Sequence, residues 1–367
     1  MKQLLAVLIA LLLMGLVACE GPQGPEGKEG PQGPSAGFVY FDGFKDSLKC
    51  ATCHNPDADT VYYMAGKKLQ WEQSVHGSGS AYSEARGGTS ECGACHTTEG
   101  FMMKVAGKTL PADGLVDPTR PGCFACHSPH SRGDFSLRTT EPVTLPSNIV
   151  GVADASFDKG NANLCVACHH PRSVNPKPDP TKTAATDTIT ITSSRWYAHY
   201  GVQGQILIGA GAFQFVDAAS YTSTTAHSSG LIETKGCPTC HMAYLTPVTE
   251  LGGLIGGHTM RLEHEGTEMT NGCKNCHSSI TTLDYNGKQT QVTALMDSLK
   301  VMLVAKGWIN ASNAIQATSG SPLKITPASR AGALFNYMLL LHDGSKGVHN
   351  PSYAISMLNA SIAELNK

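Results

Sequence analysis

One five-residue word, Cys-x-x-Cys-His, occurs six times, at residues 50–54, 92–96, 123–127, 165–169, 237–241 and 273–277. It uses twelve of the 13 cysteines and so constrains the fold more than any other feature. Two thiols three positions apart can add across the two vinyl groups of haem b, and a histidine directly after them is placed to bind the iron. Redox disulfides and zinc ribbons also use Cys-x-x-Cys, but neither explains a histidine behind every pair. The sequence therefore predicts six covalently attached c-type haems. They hang on Cys50 and Cys53, Cys92 and Cys95, Cys123 and Cys126, Cys165 and Cys168, Cys237 and Cys240, and Cys273 and Cys276. The proximal iron ligands are then His54, His96, His127, His169, His241 and His277.

No cysteine in the body remains for a structural disulfide, so the haems are its covalent staples. Charged residues are only 15% of the chain, against about 25% in typical domains. The net charge of −2 gives no basic field for nucleic acid. A chain of roughly 300 folded residues has a radius of gyration near ~19 Å. Six macrocycles in that volume are near neighbours, and close haems exchange electrons. The motif starts are 42, 31, 42, 72 and 36 residues apart, which is no tandem repeat.

Residues 1–18 read as a signal peptide, with Lys2 as the charged start and an apolar stretch over 4–17. Leu16-Val17-Ala18-Cys19 has the form of a bacterial lipobox, so Cys19 is expected to be diacylated and to anchor the chain. Glu20 is not the aspartate of an inner-membrane retention signal, which favours the outer membrane, at the cell surface or on its periplasmic face. Residues 19–36 form a spacer in which glycine recurs at every third position from Gly21, the collagen repeat. Five triplets are short for a triple helix, so an extended spacer is expected rather than a trimer.

The haem-binding body is expected over 37–288 and a set of completing helices over 289–367. The fold class is mainly α with extensive loops: short helices around a packed haem array, and a C-terminal helical hairpin region. The alternation at 186–192 predicts a short strand. Val292, Leu295, Met296, Leu299, Met302 and Leu303 recur at helical spacing, and Gly307 stops them. Thr326-Pro327 and Asn350-Pro351 each predict a helix start, the first running to about His342.

Nine histidines remain for the far side of each iron. A second imidazole gives a coordinatively closed iron suited to electron transfer. His76, His130, His258 and His349 are well placed, the last on a rigid perch before a capped helix. His264 lies among charges and is expected in solvent. His342 is expected as a cation at a helix C-terminus, and His170, directly behind a proximal ligand, is expected to have a role outside ligation.

From about His76 onward the order of elements resembles the pentahaem ammonia-forming nitrite reductase superfamily and its multihaem relatives. The resemblance rests on a histidine ahead of the motif at Cys92, the motifs at Cys123 and Cys165, His199, and His227 before Cys237-Pro-Thr-Cys-His-Met242. His258, the motif at Cys273 and Gly347-Val-His349-Asn-Pro complete it. It covers about four-fifths of the chain and implies distal ligands. His76 would serve the iron of His169, His258 that of His127, His227 that of His277, and His349 that of His241. By elimination His199 is left for His96 and His130 for His54.

The departures count as well. The reductases attach their catalytic haem through Cys-x-x-Cys-Lys, where this chain ends in His96. Their calcium-site and catalytic residues are replaced by His170-Pro171-Arg172 and, near the remaining calcium ligands, by Trp196 and Ala198. The sequence thus predicts an electron carrier with no catalytic residues, passing electrons to other redox proteins, cytochromes or metal oxides. The alternatives are a reductase of nitrogen or sulfur oxyanions with an open iron at His96, and a subunit of a haem filament or trimer.

Overall fold

The computed structural model describes residues 63–85, 90–132, 135–222, 227, 233, 236–244 and 253–367. All of them belong to one compact unit, Gly43–Lys367. The signal peptide, Cys19, the glycine-repeat spacer and the first motif with Cys50, Cys53 and His54 lie outside the described residues.

Helix α1 (Met64–Gln73) leads into a single turn, Val75–Ser78, that carries His76. Ser74 caps this turn by accepting a 3.0 Å hydrogen bond from the Gly77 amide. The Trp71 indole donates to the Pro121 carbonyl at 2.9 Å, tying α1 to the approach of the third motif. Helix α2 (Ser90–His96) holds the second motif, and α3 (Thr98–Val105) doubles back on it. That reversal needs Gly100, where a Cβ would sit 2.3 Å from the Gly93 carbonyl oxygen. The third motif forms α4 (Cys123–Cys126) and the fourth begins in α5 (Ala162–Val166).

Strands are few and short. β1 (Val143–Leu145) pairs antiparallel with β2 (Ala155–Phe157), and β3 (Ile189–Ile191) follows. Next come α6 (Gln203–Leu207), α7 (Pro238–His241) with the fifth motif, and a hairpin of β4 (Glu263–His264) and β5 (Thr267–Glu268). The chain ends in α8 (Lys288–Ala305), β6 (Leu323–Ile325), α9 (Ala331–Asp343) and α10 (Pro351–Leu365).

The alternation at 186–192 does form a strand, and its partner is remote: Ile189 lies opposite Ile325 in β6. α10 starts as its sequence predicts, with the Asn350 side chain accepting from the Tyr353 amide and Pro351 in the first turn. α9 starts later than Thr326-Pro327 implies. Pro327 is extended (ψ 151°), a 3-10 turn spans Ala328–Arg330, and α-helix begins only at Ala331.

The largest apolar cluster lies between α8, α9, α10 and the segment 189–215. Leu299, Leu303, Phe335, Met357, Leu358, Trp196 and Phe213 are all buried in it. Each such side chain contributes about 1.5–3 kcal/mol when fully buried. Asn336 is fully buried at its centre, accepting from the Phe213 amide (2.7 Å) and donating to the Phe213 carbonyl (3.0 Å) and Ser361 (3.1 Å). Two smaller clusters, around Leu145 and Phe157 and around Phe101 and Leu164, lie among the motif-bearing segments, where Ile255 and Met269 are also fully buried. No helix among the described residues is long and apolar enough to cross a membrane.

Candidate haem-binding sites

Each described motif closes one turn upon itself. The amides of His127, His169, His241 and His277 donate to the carbonyls of Cys123, Cys165, Cys237 and Cys273 at 2.8–2.9 Å. In the second motif α2 does the same work. The turn gathers two thiols and one imidazole at each site, as attachment of one macrocycle needs. Thiols of different motifs also meet: Cys95 is in hydrogen-bonding contact with Cys168, and Cys165 with Cys237. The second, fourth and fifth motifs therefore meet at their sulfurs, with the motif of His169 in the middle.

Ring geometry is the most informative feature. The centroids of His76 and His169 are 6.1 Å apart, of His96 and His199 6.0 Å, and of His127 and His258 6.4 Å. His227 and His277 are separated by 6.3 Å, and His241 and His349 by 6.2 Å. A metal–nitrogen bond of about 2.0 Å plus about 1.1 Å to the ring centre, taken on both sides, gives about 6.2 Å. All five pairs match the span of two imidazoles facing each other across one ion. The rings come in twos, and among the described residues no three His, Cys, Asp or Glu side chains converge as a bare ion would require. Two axial imidazoles are what iron needs when a macrocycle supplies the other four nitrogens, so the residues fit haem.

Hydrogen bonding holds these rings in one orientation. Nδ1–H of His127 donates to the Phe135 carbonyl (2.7 Å), of His241 to Met260 (3.1 Å) and of His227 to Val348 (2.6 Å). His169 donates to Gln203 Oε1 (3.1 Å) and His349 to Asp343 Oδ1 (2.6 Å). Donation from Nδ1 leaves the Nε2 lone pair for a metal. Burial lowers the pKa of His127, His169, His227 and His241 and keeps them neutral. His76 and His258 are pushed down to about 4, by burial first and then by their facing rings. His349 differs. Burial opposes its charge, but the Asp343 carboxylate outweighs that and raises the pKa.

The other histidines have varied surroundings. His130 lies 5.4 Å from Phe124, while His54, its expected partner, is outside the described residues. His264 sits half-buried in β4, 3.9 Å from the Glu265 carboxylate. His342 requires a correction. It is not a cation at the end of α9: burial and nearby His199 lower its pKa to about 4, and its ring stacks on Tyr200 (4.5 Å) and lies tilted against Tyr197 (4.3 Å). Trp196 is core, with its indole donating to the Pro176 carbonyl at 2.7 Å. Arg172 lies at the surface, 3.6 Å from Glu91.

Sequence reasoning missed the residues around the rings. Gln203, Asp343 and Lys104 carry no motif, and only their contacts mark them. Lys104 reaches from α3 to the Ala167 carbonyl at 2.6 Å and lies 3.4 Å from His170 Nε2.

Residues 40–175, which hold four of the six motifs, match the family described as outer membrane cytochrome MtrC/MtrF-like, domains II/IV. Over that stretch the chain is similar to a multihaem outer-membrane cytochrome. Motifs and match together support a multihaem c-type cytochrome. No curated protein matches the chain significantly. Among solved structures, the crystal structure of outer cell wall cytochrome OcwA aligns over 82% of this chain and 50% of that one, at 18% identity and a TM-score of 0.48. The chain thus spans about half the length of OcwA.

Proposed function

We propose that the chain is an electron-transfer protein with six c-type haems, each iron closed by two histidines. The observation that carries this is the set of five imidazole pairs at 6.0–6.4 Å. Bound haem iron supplies a one-electron couple whose potential follows its ligands and surroundings. The chain's own residues fix the rest. Cys92 and Cys95, Cys123 and Cys126, Cys165 and Cys168, Cys237 and Cys240, and Cys273 and Cys276 serve as attachment points, with Cys50 and Cys53 for the first motif. The backbone carbonyls of Phe135, Met260 and Val348, with Gln203 and Asp343, hold rings so that Nε2 faces the gap. The Cys95–Cys168 and Cys165–Cys237 contacts support a continuous route through the middle site.

The reductase alternative needs an open iron at His96, and His199 faces His96 at the same spacing as the other four pairs. His130 is left to close the site of His54. The lipobox at Cys19 and the outer-membrane family matched by residues 40–175 support an anchored protein at the outer membrane, handing electrons to partner cytochromes or to extracellular acceptors.

The test is low-temperature EPR of the oxidised holoprotein, quantified per haem against pyridine haemochrome. All irons are expected low-spin. The ring planes of His76/His169, His96/His199 and His227/His277 cross at 81–88° and those of the other two pairs at 41–42°, so two classes of low-spin signal are expected. A stoichiometric high-spin iron would refute closure and restore the reductase.

A further inference from the structure

Lys104 stands where two attachment sites meet, and neither the motifs nor the paired rings give it a task. It projects from the last turn of α3. Its ammonium donates to the Ala167 carbonyl at 2.6 Å, inside the fourth motif, and lies 3.4 Å from His170 Nε2. On the other side it is 4.0 Å from Cys95 Sγ, in the second motif. Its charge is felt at both Cys95 and Cys168, whose sulfurs touch one another. One half-buried cation is thus fixed against the attachment atoms of two different haems. Its partners at this edge are a carbonyl, an imidazole and a sulfur.

We propose that Lys104 is a positioning residue of electrostatic kind, whose ammonium at the shared edge of the His96 and His169 sites favours the reduced state of both haems over the rest of the array. The proposal rests on the haem-carrying function above and adds to it an uneven distribution of electrons. Reduction adds one negative charge to each site, and a fixed cation nearby stabilises that charge. A unit charge about 10 Å from the added electron, at an effective dielectric near 20, shifts a reduction equilibrium roughly tenfold. For one electron that is about 59 mV. The two middle-edge sites become the place where electrons collect before leaving.

The experiment is an optical and EPR-monitored redox titration of the full-length holoprotein and of Lys104→Met, Lys104→Gln and Lys104→Arg, with haem content measured on each. Lys104→Met is expected to lower two midpoints by about the tenfold equivalent and leave the others in place. Lys104→Arg keeps the charge and is expected to restore them, which a purely structural tether would not require. Lys104→Gln keeps a donor for the Ala167 carbonyl without the charge, so it reads the electrostatic effect even where Lys104→Met fails to mature. Unchanged midpoints in a fully loaded Lys104→Gln protein would overturn the proposal, and so would an equal shift of every haem. Absence of haem from the wild-type protein would sink the function itself, a result that haem content alone reveals.

Discussion

Asp343→Asn isolates the electronic role of one buried carboxylate. Asp343 closes α9, is only 4% exposed, and accepts from His349 Nδ1–H at 2.6 Å as well as from the Ser345 hydroxyl. Under the proposed ligation it would make His349 more imidazolate-like, a stronger donor to the iron shared with His241, and a stronger donor favours the oxidised state. Asparagine keeps the shape and an acceptor oxygen but removes the charge. A hydrogen bond to a charged group contributes about 1.5–3 kcal/mol and a neutral one about 1. The difference is about 0.5–2 kcal/mol, and where it falls mostly on the oxidised state one midpoint rises by roughly 20–90 mV. This is opposite in sign to the loss of Lys104 and falls on a different site. Redox titration with EPR assignment measures it. A fully loaded, low-spin Asp343→Asn protein whose midpoints all stay within about 10 mV of wild type would refute the reasoning, because the charge would then have no hold on the iron.

Two further substitutions test the frame. Gly236 has φ +59° and a Cβ there would lie 2.1 Å from the Ala162 Cβ, so Gly236→Ala is expected to cost about 2–4 kcal/mol and to push Cys237 away from Cys165, read as a lower melting temperature with altered low-spin signals. Asn336→Ala leaves the Phe213 amide buried and unpaired, while the Phe213 carbonyl keeps the Tyr221 hydroxyl as donor, so a loss of about 1–3 kcal/mol is expected in denaturant unfolding with the EPR spectrum unchanged.

What could be read from the chain alone followed from local rules. The attachment turns follow from their own spacing, and α8 and α10 follow from apolar periodicity and the Asn350-Pro351 cap. The remote partner of β3 did not, because Leu323-Lys-Ile is too short to announce a strand and its register is set 136 residues away, between Ile189 and Ile325. α9 began late because Pro327 stays extended, which the dipeptide does not reveal. For His342 the expectation failed on environment: a helix C-terminus favours a cation in water, but two tyrosine rings and burial remove the water. Nothing local marks His76 or His258 as facing His169 or His127, and only the order of elements suggested those pairs. Asp343, Gln203 and Lys104 were invisible, since a single polar side chain acquires such a role only through what the fold brings beside it.

The ring pairs have a consequence for how such a protein is made. They join positions from 50 residues apart (His227 and His277) to 131 apart (His127 and His258). Under the proposed ligation each pair ties a long loop, and loops of that length are costly to close mainly once, since the penalty grows only slowly with length. His96, His127 and His241 each face a histidine that is synthesised about a hundred residues later. A chain exported from its N-terminus would thus hold half-coordinated irons until His199, His258 and His349 had followed, and its early segments, poor in apolar core, would set only when the later ones arrived.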